Sequence, residues 1–120
     1  MQLKITSEFI DKTAAQYGNN FKGGYAYSTS LIGLMKTYVL LANDEEIIVV
    51  QLGLSGEPKS DTHYQYNQLN KLTIKSGMLT RSVIIQPSTG KKIKLTIPKK
   101  TIGIVEYQSR LIELLETKAK

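Results

Sequence analysis

The sequence predicts a mainly β protein, α+β by content. The expected form is a curved antiparallel sheet of about seven strands, plugged at one end by a C-terminal helix and preceded by an extra N-terminal helix. Three observations lead there. Residues 69–75, 79–86 and 91–97 alternate apolar and polar side chains with period two, the signature of half-buried strands. Turn formers, Ser76-Gly77 and Pro87-Ser88-Thr89-Gly90, separate these runs. Residues 99–117 then change to helical spacing and end the chain as one amphipathic helix.

Taken in order, residues 6–17 read as a helix. Thr6 or Ser7 serves as N-cap, and Glu8 and Asp11 stand near the positive end of the helix dipole. Phe9, Ile10, Thr13 and Tyr17 share one face, which must pack on the sheet or on a partner chain. Gly18 stops the helix, and Gly23-Gly24 reads as a loop or bulge before the β-rich body. Strands are expected at 25–31, 36–42, 46–52 and 61–67, with a turn at Gly33, a polar hairpin at 43–45 and a Gly/Pro-containing loop at 53–60. The run 47–50 (Ile-Ile-Val-Val) is too apolar for a strand with one face in water. In the last three strands Val83, Ile85, Ile93, Leu95 and Ile97 turn inward and lysines outward. Pro98 ends the last strand. The terminal helix then offers Ile104, Val105, Leu111, Ile112 and Leu115 on one broad face, with Lys118 and Lys120 at its C-terminal end.

The 120 residues fit one domain, divided into a helix and Gly-rich connection at 1–24 and a β body with its terminal helix at 25–120. There is no cysteine, which excludes disulfides and thiolate metal sites. No apolar run approaches the roughly 20 residues that span a bilayer, and the N-terminus lacks the apolar centre of a signal peptide. These features predict a soluble, cytoplasmic protein. His63 is the single histidine; a hydrogen-bonded strand residue is the expected role. Asp44, Glu45 and Glu46 lack the spacing of a calcium loop, and no glycine run has the form of a phosphate loop. No catalytic set, cofactor site, metal site or small-molecule substrate is predicted.

Net charge is +6, unevenly spread. Nine Lys or Arg and one acid, Asp61, fall between residues 59 and 100. Lys71, Lys75, Arg81, Lys91, Lys92 and Lys94 form the candidate anionic-ligand patch, adjoined by Lys99 and Lys100. Lys71, Lys75, Lys92 and Lys94 share outward parity. One arginine and no aromatic on that face disfavour nucleic acid. Phe9, Tyr25, Tyr27, Tyr64 and Tyr66 form a candidate protein interface, since tyrosine is favoured at such surfaces.

At the level of residues the chain resembles bacterial pleckstrin-homology-like (PH-like) domains over residues 25–116. The resemblance is carried by TYVLLANDEEIIVVQLG, by YQYNQLNKLTIKSGMLTRSVIIQPSTGKKIKLTI and by the terminal helix. It implies a partly open barrel of two near-orthogonal antiparallel sheets, capped by the helix, in a binding or assembly module that is not an enzyme. Phosphoinositide-binding members carry a basic cluster at the first hairpin; here residues 25–41 hold only Lys36. The expected function is therefore a non-enzymatic module binding a protein partner or itself. The alternative is peripheral contact with an anionic membrane surface through the lysine-rich strand face.

Overall fold

The structure is a computed structural model that describes residues 5–18, 20–29 and 35–119. The expected turn at Gly33, the strand end at 30–31 and Lys120 lie outside the described residues. Helix α1 (Ser7–Ala15) starts where its cap predicts, with the Thr6 hydroxyl accepting from the Phe9 N–H at 3.1 Å. Strands β1 (Lys22–Thr29), β2 (Met35–Ala42), β3 (Glu46–Leu52) and β4 (Pro58–Gln65) form one meander. A 3₁₀ turn at Tyr66–Gln68 leads into a second, β5 (Leu69–Ser76), β6 (Thr80–Pro87) and β7 (Ile93–Pro98), and helix α2 (Val105–Lys118) follows.

All pairings are antiparallel, in the order β4-β3-β2-β1-β7-β6-β5. The edge strands β4 and β5 do not pair with each other, so the barrel stays partly open. Its two halves face one core. Leu40, Ile47 and Val49 from the first meander meet Leu72, Val83, Ile85, Leu95 and Ile97 from the second, and Leu111 and Leu115 of α2 close the cluster. This is the PH-like architecture expected from the resemblance.

The side chains of opposite parity on β2 and β3 build a second core. Val39, Leu41, Ile48, Val50 and Leu52 are buried with Ile5 and Ile10 beneath α1. The run 47–50 is therefore covered on both faces, which accounts for its composition. The amphipathic stripe of α1 packs on its own sheet.

Several boundaries differ from expectation. β4 starts at Pro58, a residue tolerated on an edge strand, and ends two residues early in the 3₁₀ turn. α2 starts at Val105, not at residue 99. The Lys99 N–H instead donates to the Leu79 carbonyl at 3.0 Å, which extends the β6–β7 ladder, and Gly103 at φ +89° turns the chain before the helix. Val105, expected on the buried face of α2, is 46% exposed, and the buried stripe contains Gln108.

Gly23 and Gly24 are part of β1 and mark where both helices approach it. A Cβ on Gly23 would stand 2.5 Å from Ile10 Cγ2 of α1; one on Gly24 would stand 2.5 Å from Gln108 Oε1 and 2.7 Å from Leu111 Cδ2 of α2. The vacancy above Gly24 admits the Gln108 amide. Its Oε1 accepts the Tyr25 N–H at 2.8 Å, and its Nε2 donates to the Tyr25 and Pro98 carbonyls, each at 2.9 Å. Gly24→Ala is predicted to destabilise the protein by about 1–3 kcal/mol through overpacking. Urea unfolding measures this as a lowered midpoint; an unchanged midpoint would show that α2 does not bear closely on β1.

Candidate functional site

The second meander arranges its side chains by strict alternation. Leu72, Val83, Ile85, Leu95 and Ile97 are buried inward. Lys71 pairs in register with Gln86, Lys75 with Ser82 and Lys94 with Ile84, so these three lysines share the outer face. Lys92 has the parity of Lys94, but it lies with Lys91 in the exposed connection before β7.

Arg81 does not belong with them, contrary to the sequence grouping. It has the parity of Val83 and Ile85 and pairs with Ile97, which places it on the α2 side of the sheet. There it lines a shallow cavity of about 380 Å³ with Lys99, Lys100, Val105, Ser109 and the α2 acids Glu113 and Glu116. Its Nη1 donates long bonds to the Gly77 and Thr80 carbonyls, 3.3 and 3.4 Å, while its Nε is buried without a partner among the described residues.

The cations thus fall at two ends of the half-sheet. Lys71, Lys91, Lys92 and Lys94 lie toward the β6–β7 turn, and Lys75, Arg81, Lys99 and Lys100 toward the β5–β6 turn. No Asp or Glu occurs between Asp61 and Glu106. The ion pairs found among the described residues join His63 to Glu46 and Asp61, Arg110 to Glu106 and Lys118 to Asp44; none uses a cation of this half-sheet.

The tyrosine grouping does not come together as one surface. Phe9 and Tyr25 pack against the core under α1, and Tyr27 leans on Tyr25 with ring centroids 6.3 Å apart. Tyr64 packs against the barrel core. Tyr66 is buried there, donates to the Asn43 carbonyl at 2.9 Å and has the Lys118 ammonium 5.5 Å from its ring centroid. Phe9 and Tyr25 thus belong to the core under α1, and Tyr64 and Tyr66 to the barrel core on the other side of the sheet. His63 is hydrogen-bonded, with Nδ1 3.1 Å from Glu46 Oε1 and Nε2 3.5 Å from Asp61 Oδ1. It also lines a cavity of about 500 Å³ at the open seam between β4 and β5, beside Tyr64, Leu69 and Ser88. Among the described residues no cluster of three or more His, Cys, Asp or Glu is arranged to hold a metal ion.

Sequence reasoning missed a different feature. Met78 and Ile102 are 92% and 95% exposed, and Leu79 is 61% exposed. Met78 and Leu79 occupy the β5–β6 turn, beside Lys99 through the Leu79 carbonyl; Ile102 lies in the β7–α2 connection. The available signal was two bulky apolar residues following Gly77, where turn chemistry calls for small or polar ones.

Residues 4–107 match the bacterial PH domain family. The chain belongs to that family. The matched span includes α1 and all seven strands and ends within the first turn of α2. No curated protein matches the chain. Among the described residues, no helix of this PH domain is long and apolar enough to cross a membrane.

Two tyrosines tie the PH domain's stability to alkaline pH. Burial, aided by the Asp44 and Glu46 carboxylates, pushes the Tyr66 phenol up to about 12. The hydrogen bond that Tyr17 donates to Asp61 at 2.6 Å, aided by burial, raises Tyr17 to about 12. Unfolded tyrosines titrate near 10, so the folded state keeps protons that the unfolded chain releases. This contribution is whole below about 10 and is lost as pH rises toward about 12. Urea midpoints measured across that window should fall steadily, and Tyr66→Phe should flatten part of the fall; a level profile in the parent protein would contradict the assignment.

Proposed function

We propose that this PH domain is a non-enzymatic binding module that docks on an anionic membrane surface through the half-sheet β5–β7. The supporting observation is its charge pattern: eight Lys or Arg between residues 62 and 105, no acid, and no ion pair to any of them among the described residues. Paired lysines would already have their charge offset. Unpaired, solvated ammonium groups on flexible stems adapt to a diffuse negative surface, and each adds about 1 kcal/mol near anionic lipid. The face presents no aromatic platform for bases, which favours lipid over nucleic acid. Residues 25–41 hold only Lys36 where phosphoinositide-binding members carry a basic cluster, so a diffuse surface suits the chain better than a single phosphoinositide headgroup.

Binding of a protein partner or of a second copy is the other reading. One observation favours it: β4 is a sheet edge exposed along nearly its whole length. Pro58, Lys59 and Asp61 on that strand are residues that guard an edge against pairing. The tyrosines and α1, which first suggested an interface, are occupied within the fold.

Sedimentation with neutral and acidic vesicles at two salt concentrations tests the proposal. Binding should require acidic lipid and weaken with salt. Replacing Lys75 and Lys99 by Gln should weaken it about 30-fold, from roughly 2 kcal/mol lost. Equal binding to both vesicle types, or none to either at low salt, would count against it.

A further inference from the structure

Resting on the membrane-docking reading above, we infer that the domain meets the bilayer end-on, inserting Met78, Leu79 and Ile102 into an anionic lipid interface. These side chains stand at the end of the half-sheet where the β5–β6 turn meets the β7–α2 connection, joined by the 3.0 Å bond from the Lys99 N–H to the Leu79 carbonyl. Met78 and Ile102 are almost wholly in water, at 92% and 95% exposure, so the fold gains nothing from their apolar character. Exposed aliphatic groups on loops are ordinary when single, as Leu54 at 104% shows; here three stand together at one end, and each forgoes the transfer free energy that an apolar phase would supply.

The surroundings identify that phase. Lys75, Arg81, Lys99 and Lys100 surround this end. Glu113 and Glu116 of α2, both exposed, line the same cavity as Arg81, Lys99 and Lys100, so the net cationic charge at this end rests on the surplus of four cations over two acids. An apolar tip ringed by cations matches hydrocarbon beneath a layer of negative headgroups, with tip and ring each placed at its own depth. The opposite lysine cluster, about 13 Å along β5 at strand spacing, would stay above the headgroups and contribute through the longer-range field. A flat approach by the strand face would use both clusters equally and leave the apolar tips in water.

The chain contains no tryptophan, which permits a clean reporter. Met78→Trp, at a site too exposed to disturb folding, should shift its emission to the blue and be quenched by brominated acyl chains when phosphatidylserine-containing vesicles are added. Leu54→Trp, at the exposed β3–β4 loop, should do neither. Separately, Met78→Ser with Ile102→Ser should weaken vesicle binding roughly tenfold or more. Charge removal at Lys99 and Lys100 should cost more affinity than removal at Lys91 and Lys92. Sedimentation with acidic vesicles but no shift at residue 78 would overturn insertion while leaving surface docking intact. Absence of sedimentation at low salt would overturn both. A shift that grows with protein concentration without vesicles would put a second copy on the tips and overturn the inference.

Discussion

The architecture depends on one buried amide. The two halves of the sheet meet at β1 and β7, where Tyr27↔Thr96 is the one register pair among the described residues. Next to that pair, Gln108 receives the Tyr25 N–H and donates to the Tyr25 and Pro98 carbonyls, joining both strands to α2. A fully buried amide left unpaired would cost about 1–3 kcal/mol, so a side chain of this kind is tolerated only where each donor and acceptor finds a partner. Gly24 makes the geometry available, because any side chain there would occupy the space of the amide oxygen.

From that clasp follow the positions of the other parts. With α2 held at the β1–β7 junction, Leu111 and Leu115 seal the barrel core. Its first turn meanwhile reaches the opposite face, where Ile104 joins the core under α1 and the Tyr107 hydroxyl donates to Asp11 at 2.8 Å. The bond from Gln108 to the Pro98 carbonyl also fixes where the chain leaves β7. The orientation of Lys99, Lys100 and Ile102 is thereby coupled to packing in the centre of the fold. A rim built this way presents its cations and apolar tips in a set arrangement and does not need to order itself on contact.

Alternation made most of the fold legible. In β5–β7, period-two patterning places the buried aliphatics from Leu72 onward and the outward lysines, because one face is wet and a one-residue slip would invert the pattern; Leu69, buried with the parity of Lys71, is the exception that the bulge between them makes. The doubly apolar run 47–50 signalled a covered outer face, and the stripe of α1 supplied its cover. Arg81 was misplaced because it was grouped by charge and not by parity; counting from Val83 puts it inward. Gln108 was hidden because a polar residue at a core position follows from tertiary hydrogen bonding, which helical periodicity does not report. The role of Gly23-Gly24 was hidden for a similar reason: glycine inside a strand reads locally as a turn, while here it records two helices approaching from opposite sides. The tyrosines were visible as a group only by composition, and packing into two separate cores dispersed them.

Amide hydrogen exchange in Gln108→Leu, which keeps the side-chain bulk and removes its hydrogen bonds, examines the clasp most directly. Protection at Tyr25 and along β7 should drop by about tenfold or more, the loss of roughly 1.4 kcal/mol or more of local stability, while the β2–β3 pair Leu40↔Val49 stays protected. Unchanged protection on both β1 and β7 would show that the two half-sheets hold together without the amide and would contradict the account.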